Sequence, residues 1–240
     1  MIVLLDRDFS PEHLANPETI DLRNITKKTW PIVIEKCRAI NTRLYNIKLE
    51  TLEGIQHLKS TQQLTLEWAT KISDLSPIFE MYQLTHLNIS DFPKAPSICG
   101  ISKLTNIEQL TLGGSSTLGK PLHLVTIEEL AKLPNLNTLY IFNTKLENDD
   151  ISILAECKNL KKLTISNQFE KKQYAYLAKK LNIQLQTPIV AAKQASSTCG
   201  KCGQKKYMLT GRKMPFLCSD CDKKKFEKLT NDFHEMIDKA

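Results

Sequence analysis

The chain has 240 residues, 41% hydrophobic and 25% charged, with a formal net charge of +7. That apolar share is enough for a core, which excludes a disordered polyelectrolyte, and the length suits one elongated domain or two small ones. The seven cysteines are an odd number and four of them fall in two CxxC pairs, which argues against a disulfide framework and for reduced thiols in a cytoplasmic protein. The opening MIVLLDRDFSPEHL is broken by Asp6 and Arg7, so it lacks the basic start and long apolar stretch of a secretory signal. No other run is long enough to span a membrane. The sequons at Asn24 and Asn88 therefore carry no weight. Charge is unevenly spread: the stretch 188–240 holds 11 Lys+Arg against 6 Asp+Glu, a net of +5, which leaves +2 for everything before it.

Residues 1–43 read as an N-terminal cap. Within them TIDL (19–22) suits a strand, TKKTWPIVIEKCRAI (26–40) is partly helical, and Trp30, Ile32 and Ile34 are packing residues. From residue 44 a pattern recurs. The segments LKSTQQLTLEW, FEMYQLTHLNISDF, LTNIEQLTLGG, LPNLNTLYIFN, CKNLKKLTISN and, more weakly, LAKKLNIQLQ each end in an apolar-x-apolar pair. The pairs are Leu64/Leu66, Leu87/Ile89, Leu110/Leu112, Leu139/Ile141, Leu163/Ile165 and Ile183/Leu185, so that most recur at near-constant intervals, with one longer step before Leu139. Alternation of this kind builds a short strand with one buried face. Between pairs the period changes. VTIEELAKLPNL places Ile127, Leu130, Ala131 and Leu133 at helical spacing behind a capping box of Thr126 and Glu129, and NDDISILAECKNL repeats the spacing with Ile151, Leu154, Ala155 and Cys157. The shorter return APSICGISKL suits a turn or 3₁₀ segment.

Over residues 44–186 this repeat resembles the leucine-rich repeat family. The resemblance implies an α/β solenoid: a curved parallel sheet inside, helices or turns outside, and a cap over the first apolar layer. Two departures stand out. Asparagine follows the strand clearly only at Asn143 and Asn167, and the step from Ile47/Leu49 to Leu64/Leu66 is shorter than the others.

Outward strand positions in such a stack form one continuous surface. They include His86, Asn88, Gln109 and Lys162, and they are poor in charge apart from the last. Tyr140 and Phe142 are large rings at positions turned away from the core, with Trp68 at another strand end. Exposed rings among neutral polar groups are the composition of a protein-binding hot spot, so these seven residues are the candidate partner-binding set. His86 has no evident catalytic partner, and no serine elbow, HExxH, paired-carboxylate motif or phosphate loop occurs. The chain is expected not to be an enzyme. Cys37, Cys99 and Cys157 read as small core residues.

After a connection over 187–198, Cys199, Cys202, Cys218 and Cys221 stand as C-x₂-C-x₁₅-C-x₂-C, the spacing of a four-thiolate zinc site. KKYMLTGRKMPFL suits two strands about Thr210 and Gly211, and a helix begins at the second cysteine pair. This order over 199–240 resembles the zinc-ribbon and treble-clef modules. Four thiolates leave no open position, so the one Zn²⁺ expected is structural. The helix carries Phe226, Leu229, Phe233 and Met236 or Ile237 along one stripe, more than so small a module buries, and the last repeat is a surface it could cover.

Three classes of function are open. The first is a non-enzymatic protein whose repeat face holds a protein partner. The chain is similar to small bacterial leucine-rich repeat proteins, some of which are immunity proteins that hold a toxin or effector inactive. The second is nucleic-acid binding by Lys205, Lys206, Arg212 and Lys213 of the module, weakened because the zinc–thiolate centre adds about two negative charges. The third, a ubiquitin-ligase adaptor, has the sequence against it, since a RING needs two zinc sites.

Overall fold

The computed structural model describes residues 1–16, 18–115 and 120–240. Its main feature is one parallel sheet of β1 (Ile2–Leu4), β2 (Thr19–Ile25), β3 (Asn41–Ile47), β4 (Gln63–Glu67), β5 (His86–Ser90), β6 (Gln109–Gly113), β8 (Thr138–Phe142) and β10 (Lys162–Ile165) in that spatial order. Each strand alternates: Leu64 and Leu66 of β4 are buried between the more open Gln63, Thr65 and Glu67. Stacked in register, Leu44, Leu66, Ile89, Leu112 and Ile141 make one continuous column of core.

The sheet does not begin at residue 44. Strands β1 and β2 lie within the expected cap and pair parallel with the rest, and α1 (Trp30–Lys36) is the return of that coil. The apparent short step before Leu64 is likewise resolved by register. Thr42 and Leu44, not Ile47 and Leu49, stand opposite Leu64 and Leu66, which restores the ordinary interval. Thr42 hid the repeat because it is polar at an inward position. Its hydroxyl meets Thr61 Oγ1 at 2.9 Å, and Thr61 donates to the Ala39 carbonyl at 3.0 Å, so a buried pair of hydroxyls satisfies itself there.

Between β3 and β10 the outer returns are 3₁₀ turns, including the two expected to be helices, now Glu128–Lys132 and Ser152–Glu156. The same i→i+3 bond recurs in five coils: Leu58, Met81, Leu104, Leu133 and Cys157 donate to Ile55, Ile78, Ile101, Leu130 and Leu154 at 2.9–3.2 Å. Nor do Thr126 and Glu129 form a capping box. Thr126 accepts from the Glu128 amide, while Glu129 reaches back one coil to the Ser102 hydroxyl at 2.7 Å and the Gly100 amide at 3.0 Å. The longer step from Gln109 to Thr138 accommodates β7 (Leu122–Leu124), which pairs with β9 (Thr144–Leu146) beside the main sheet.

At the ends of β2, β3, β4, β5 and β8 the chain turns through a left-handed residue: Asn24, Asn46, Trp68, Asp91 and Asn143 all have φ between 43 and 63°. Asparagine tolerates this region better than most residues. In the first coils its side chains also form a ladder, Asn46 donating to Asn24 and Asn24 to Asp6 at 2.5 and 2.8 Å.

The weak sixth pair is not a strand. Residues after α2 (Lys171–Leu181) turn instead, leaving Ile183 94% exposed and Leu185 buried, and only the Gln186 amide continues the ladder, to the Lys161 carbonyl. The expected connection over 187–198 is also more ordered than a linker. It contains β11 (Ala192–Thr198), which joins β12 (Lys205–Leu209) and β13 (Phe216–Cys218) in an antiparallel sheet followed by α3 (Lys223–Lys239). Phe233 of α3 is 1% exposed and belongs to the solenoid's own core cluster, with Met236 and Ile237 packed against it. The module thus covers the last coil, as the apolar stripe of its helix implies.

Candidate functional site

The outward strand positions form three rows across the arc. One runs Asp21, Arg43, Thr65, Asn88, Thr111, Tyr140, Thr164; the next Arg23, Tyr45, Glu67, Ser90, Gly113, Phe142; the third Thr19, Asn41, Gln63, His86, Gln109, Thr138, Lys162. Asn88, His86 and Gln109 are therefore neighbours at the middle of the face, all half-buried. His86 Nδ1 meets Thr85 Oγ1 at 2.9 Å, and the Asn88 side-chain oxygen is buried with no hydrogen-bond partner. Lys162 is exposed on the last strand.

The three rings expected to act together do not lie together. Tyr140 and Phe142 share β8, but Trp68 is at the end of β4, three strand spacings or about 14 Å away. Phe142 is half-buried because its ring lies over Gly113, in the space a Cβ there would fill. That makes it as much a packing residue as a contact.

Trp68, 37% exposed, instead packs against Tyr45, ring centroids 5.6 Å apart. Around the pair is a charged chain that the sequence reading missed. Arg23 and Arg43 both bond Asp21, at 2.8 and 2.7 Å, Arg43 Nε donates to Glu67 at 3.1 Å, and both guanidiniums lie over the Tyr45 ring, at 5.5 and 4.7 Å. Burial works against ionisation of Asp21, but the two arginines outweigh it and hold its carboxyl below the ordinary 3.8. The signal that could have found these residues was the recurrence of Leu22 at Leu44 and of Asn24 at Asn46, at an interval one residue shorter than that from Leu64 to Leu87.

At the other end of the molecule the Sγ atoms of Cys199, Cys202, Cys218 and Cys221 all lie within 4.8 Å of one another. The first pair is held by a tight turn in which the Gly203 amide donates to the Cys199 carbonyl, with Gly203 at φ 76°. The second is held by Asp222, whose carboxylate accepts from the Cys218 amide while its own amide donates to the Cys218 carbonyl, both at 3.0 Å. Amides of Lys201 and Cys202 hold the Cys199 thiol down at about 6, whereas hydrogen bonds with Cys202 and Cys199 push Cys221 up to about 12. One thiolate forms readily and the next resist, because like charges crowd one another. A divalent cation at the centre removes that conflict. Sulfurs around a tetrahedral ion are about 3.8 Å apart, given a metal–sulfur bond of about 2.3 Å, so the cluster fits such an ion with little contraction.

Of the four basic residues considered for nucleic acid, Arg212 is committed elsewhere. Its amide and Nε donate to the Phe169 and Gln168 carbonyls at 2.7 Å each, and its guanidinium pairs with Asp149 and Glu170. Beside it Asn167 grips the Leu209 carbonyl and the Gly211 amide. Arg212 therefore latches the module to the solenoid. Lys205 donates to the Ser196 carbonyl at 3.0 Å, Lys206 is half-buried and Lys213 exposed.

The register of the sheet and its 3₁₀ returns define a leucine-rich repeat solenoid of the α/β class, closed at its C-terminal end by a four-cysteine module. No protein-family model and no curated protein matches the chain. Similar solved structures include internalin C2 of Listeria monocytogenes, 22% identical over 62% of this chain and 58% of that one, with a TM-score of 0.45. A leucine-rich repeat protein of Leptospira interrogans is 22% identical over 68% of this chain, with a TM-score of 0.47. The matches span 58% and 39% of those two proteins. Among the described residues no helix is long and apolar enough to cross a membrane.

Proposed function

We propose that this is a non-enzymatic binding protein that holds a protein partner on the concave face of its solenoid, anchored at Tyr45 and Trp68. The observation that carries the reading is that aromatic pair, partly open to solvent and framed by Arg23, Arg43, Asp21 and Glu67. Rings supply large contact area at little entropic cost, and prearranged charges at their border discriminate among partners. Asn88, Gln109, His86, Tyr140, Phe142 and Lys162 extend the surface toward the C-terminal end. His86, the one histidine in these rows, is flanked in register by Gln63 and Gln109, neither of which titrates, so it suits contact better than proton transfer.

The four cysteines hold one structural zinc ion that keeps the module folded against the last coil, in the reducing setting of the cytoplasm. The role we assign to the complex is inhibition, the partner being a toxin or effector whose active surface the arc covers. The support for that narrower role is the resemblance to small bacterial repeat proteins.

The test is capture from a nuclease-treated lysate with the wild type, with Tyr45→Ala/Trp68→Ala and with Tyr140→Ala/Phe142→Ala. A protein lost with the first pair supports the reading, and inactivation of that protein by the wild type supports inhibition. Retention indifferent to both pairs would put the site elsewhere.

A further inference from the structure

The last strand of the large sheet leaves part of one edge unpaired. On β10, the amides of Lys162 and Ser166 donate to the Asn137 and Ile141 carbonyls of the neighbouring strand, both at 2.9 Å. In a parallel ladder this alternation directs the peptide groups of residues 162, 164 and 166 toward β8, and those of Leu163 and Ile165 away from it. Both ends of that outer edge are closed. Gln186 donates to the Lys161 carbonyl at 2.8 Å, and the Asn167 side chain bonds Leu209 and Gly211 of the module. Between them, the N–H and C=O groups of Leu163 and Ile165 have no hydrogen-bond partner among the described residues.

Beside that unpaired stretch is a cavity of about 50 Å³ lined by Leu163, Ile165, Asn167 and Tyr174 of the solenoid together with Ile189, Lys193, Met208 and Thr210. It has room for a small aliphatic side chain. The two sheets meet at Asn167 and share no strand pairing over this stretch. The rim is positive: Lys193 lines the cavity, Lys161 and Lys162 are exposed at the start of β10, and none of the three has an ion-pair partner among the described residues.

We propose that this edge takes a short extended peptide segment of a partner protein, which adds a strand beside β10. It seats one small aliphatic side chain in the cavity and places an acidic residue against Lys193 and the Lys161/Lys162 pair. Main-chain bonds to an open edge supply affinity in such a mode, and the pocket and the charge supply selectivity. The surface shares Lys162 with the concave face but lies at the β10 end of the sheet, away from Tyr45 and Trp68 on the β3 and β4 coils, so variants at that aromatic pair test the two readings separately.

The test uses the full-length, zinc-loaded protein and a fluorescein-labelled pool of pentapeptides Glu-X-X-X-Glu, with X drawn from Val, Ile and Thr. Members are expected to bind with Kd below about 1 mM, and N-methylation of the central amides should weaken them at least about tenfold, since it removes strand pairing. Lys193→Glu should weaken binding similarly while leaving thermal unfolding unchanged. Ile165→Pro removes a donor that faces the cavity and spares the β8 ladder; if that variant unfolds early, Lys193→Glu decides. Tyr45→Ala/Trp68→Ala should bind the pool as the wild type does. No retained member at about 1 mM, equal binding of the N-methylated pool, equal binding of a Lys-X-X-X-Lys pool, or loss in the Tyr45/Trp68 variant would each overturn the proposal.

Discussion

Replacing Phe233 by alanine should destabilise the whole solenoid, not the zinc module alone. The ring is 1% exposed and lies within the same core cluster as Leu177 and Leu181 of the last coil's helix. Removing a buried phenylalanine side chain costs about 3–5 kcal/mol. For a protein of this length that corresponds to a fall in Tm of roughly 6–20 °C. Arg212→Ala, which removes the latch to Asp149 and the Gln168 carbonyl, should cost less, toward the lower end of about 1.5–3 kcal/mol, because its side chain is a third exposed. The assay can be made specific to the far end of the molecule. The only two tryptophans, Trp30 and Trp68, belong to the N-terminal coils, so their fluorescence reports unfolding there and not in the module. A solenoid whose coils stabilise their neighbours transmits the loss of its end cap. An unchanged tryptophan transition in Phe233→Ala, with only the metal-bound module melting early, would refute the argument that the module is a cap.

Cys218→Ser, or removal of metal with a chelator, should unfold the module and release the same cap, seen as loss of helix by circular dichroism together with a lower tryptophan midpoint. Gly113→Ala should displace the Phe142 ring, which occupies the space of the added methyl, and cost about 1–3 kcal/mol in urea unfolding. Glu129 is held down to about 2 by its hydrogen bonds to Ser102 and Lys132. A carboxyl lowered in the folded state stabilises it fully above the ordinary 4.5 and loses that contribution as pH falls toward about 2. Glu129→Gln should therefore flatten the acid-side slope of stability between those values, and an unchanged slope would show that the inter-coil bond contributes nothing.

The central repeat was legible because Leu64/Leu66 through Leu163/Ile165 alternate strictly and recur at near-constant spacing. The first coils were not, for a physical reason: Thr42 occupies a core position where the other coils have leucine or isoleucine, and is satisfied by Thr61 rather than by apolar packing. Reading Ile47/Leu49 as the repeat pair shifted the frame and removed Asp21, Arg23, Arg43 and Tyr45 from the binding face. The returns at 127–133 and 151–157 carry helical spacing but close through the i→i+3 bonds of Leu133 and Cys157 to Leu130 and Leu154, and apolar spacing alone does not distinguish such 3₁₀ turns from an α-helix. Glu129 shows the same gap, since capping-box chemistry was visible but a cross-coil acceptor was not. The cysteine cluster was fully visible, because two CxxC pairs are local in sequence. Arg212 was visible only as charge, since its partners Asp149 and Glu170 come from a different part of the chain.

The most direct measurement of the central claim is hydroxyl-radical footprinting of the protein alone and with the partner retained by capture. Binding to the concave face requires Trp68 and Tyr45 to lose labelling in the complex, with a smaller loss at Tyr140, while Phe216 of the module, 51% exposed, stays labelled. Unchanged labelling of Trp68 and Tyr45, with protection at Phe216 instead, would contradict it and move recognition to the zinc module.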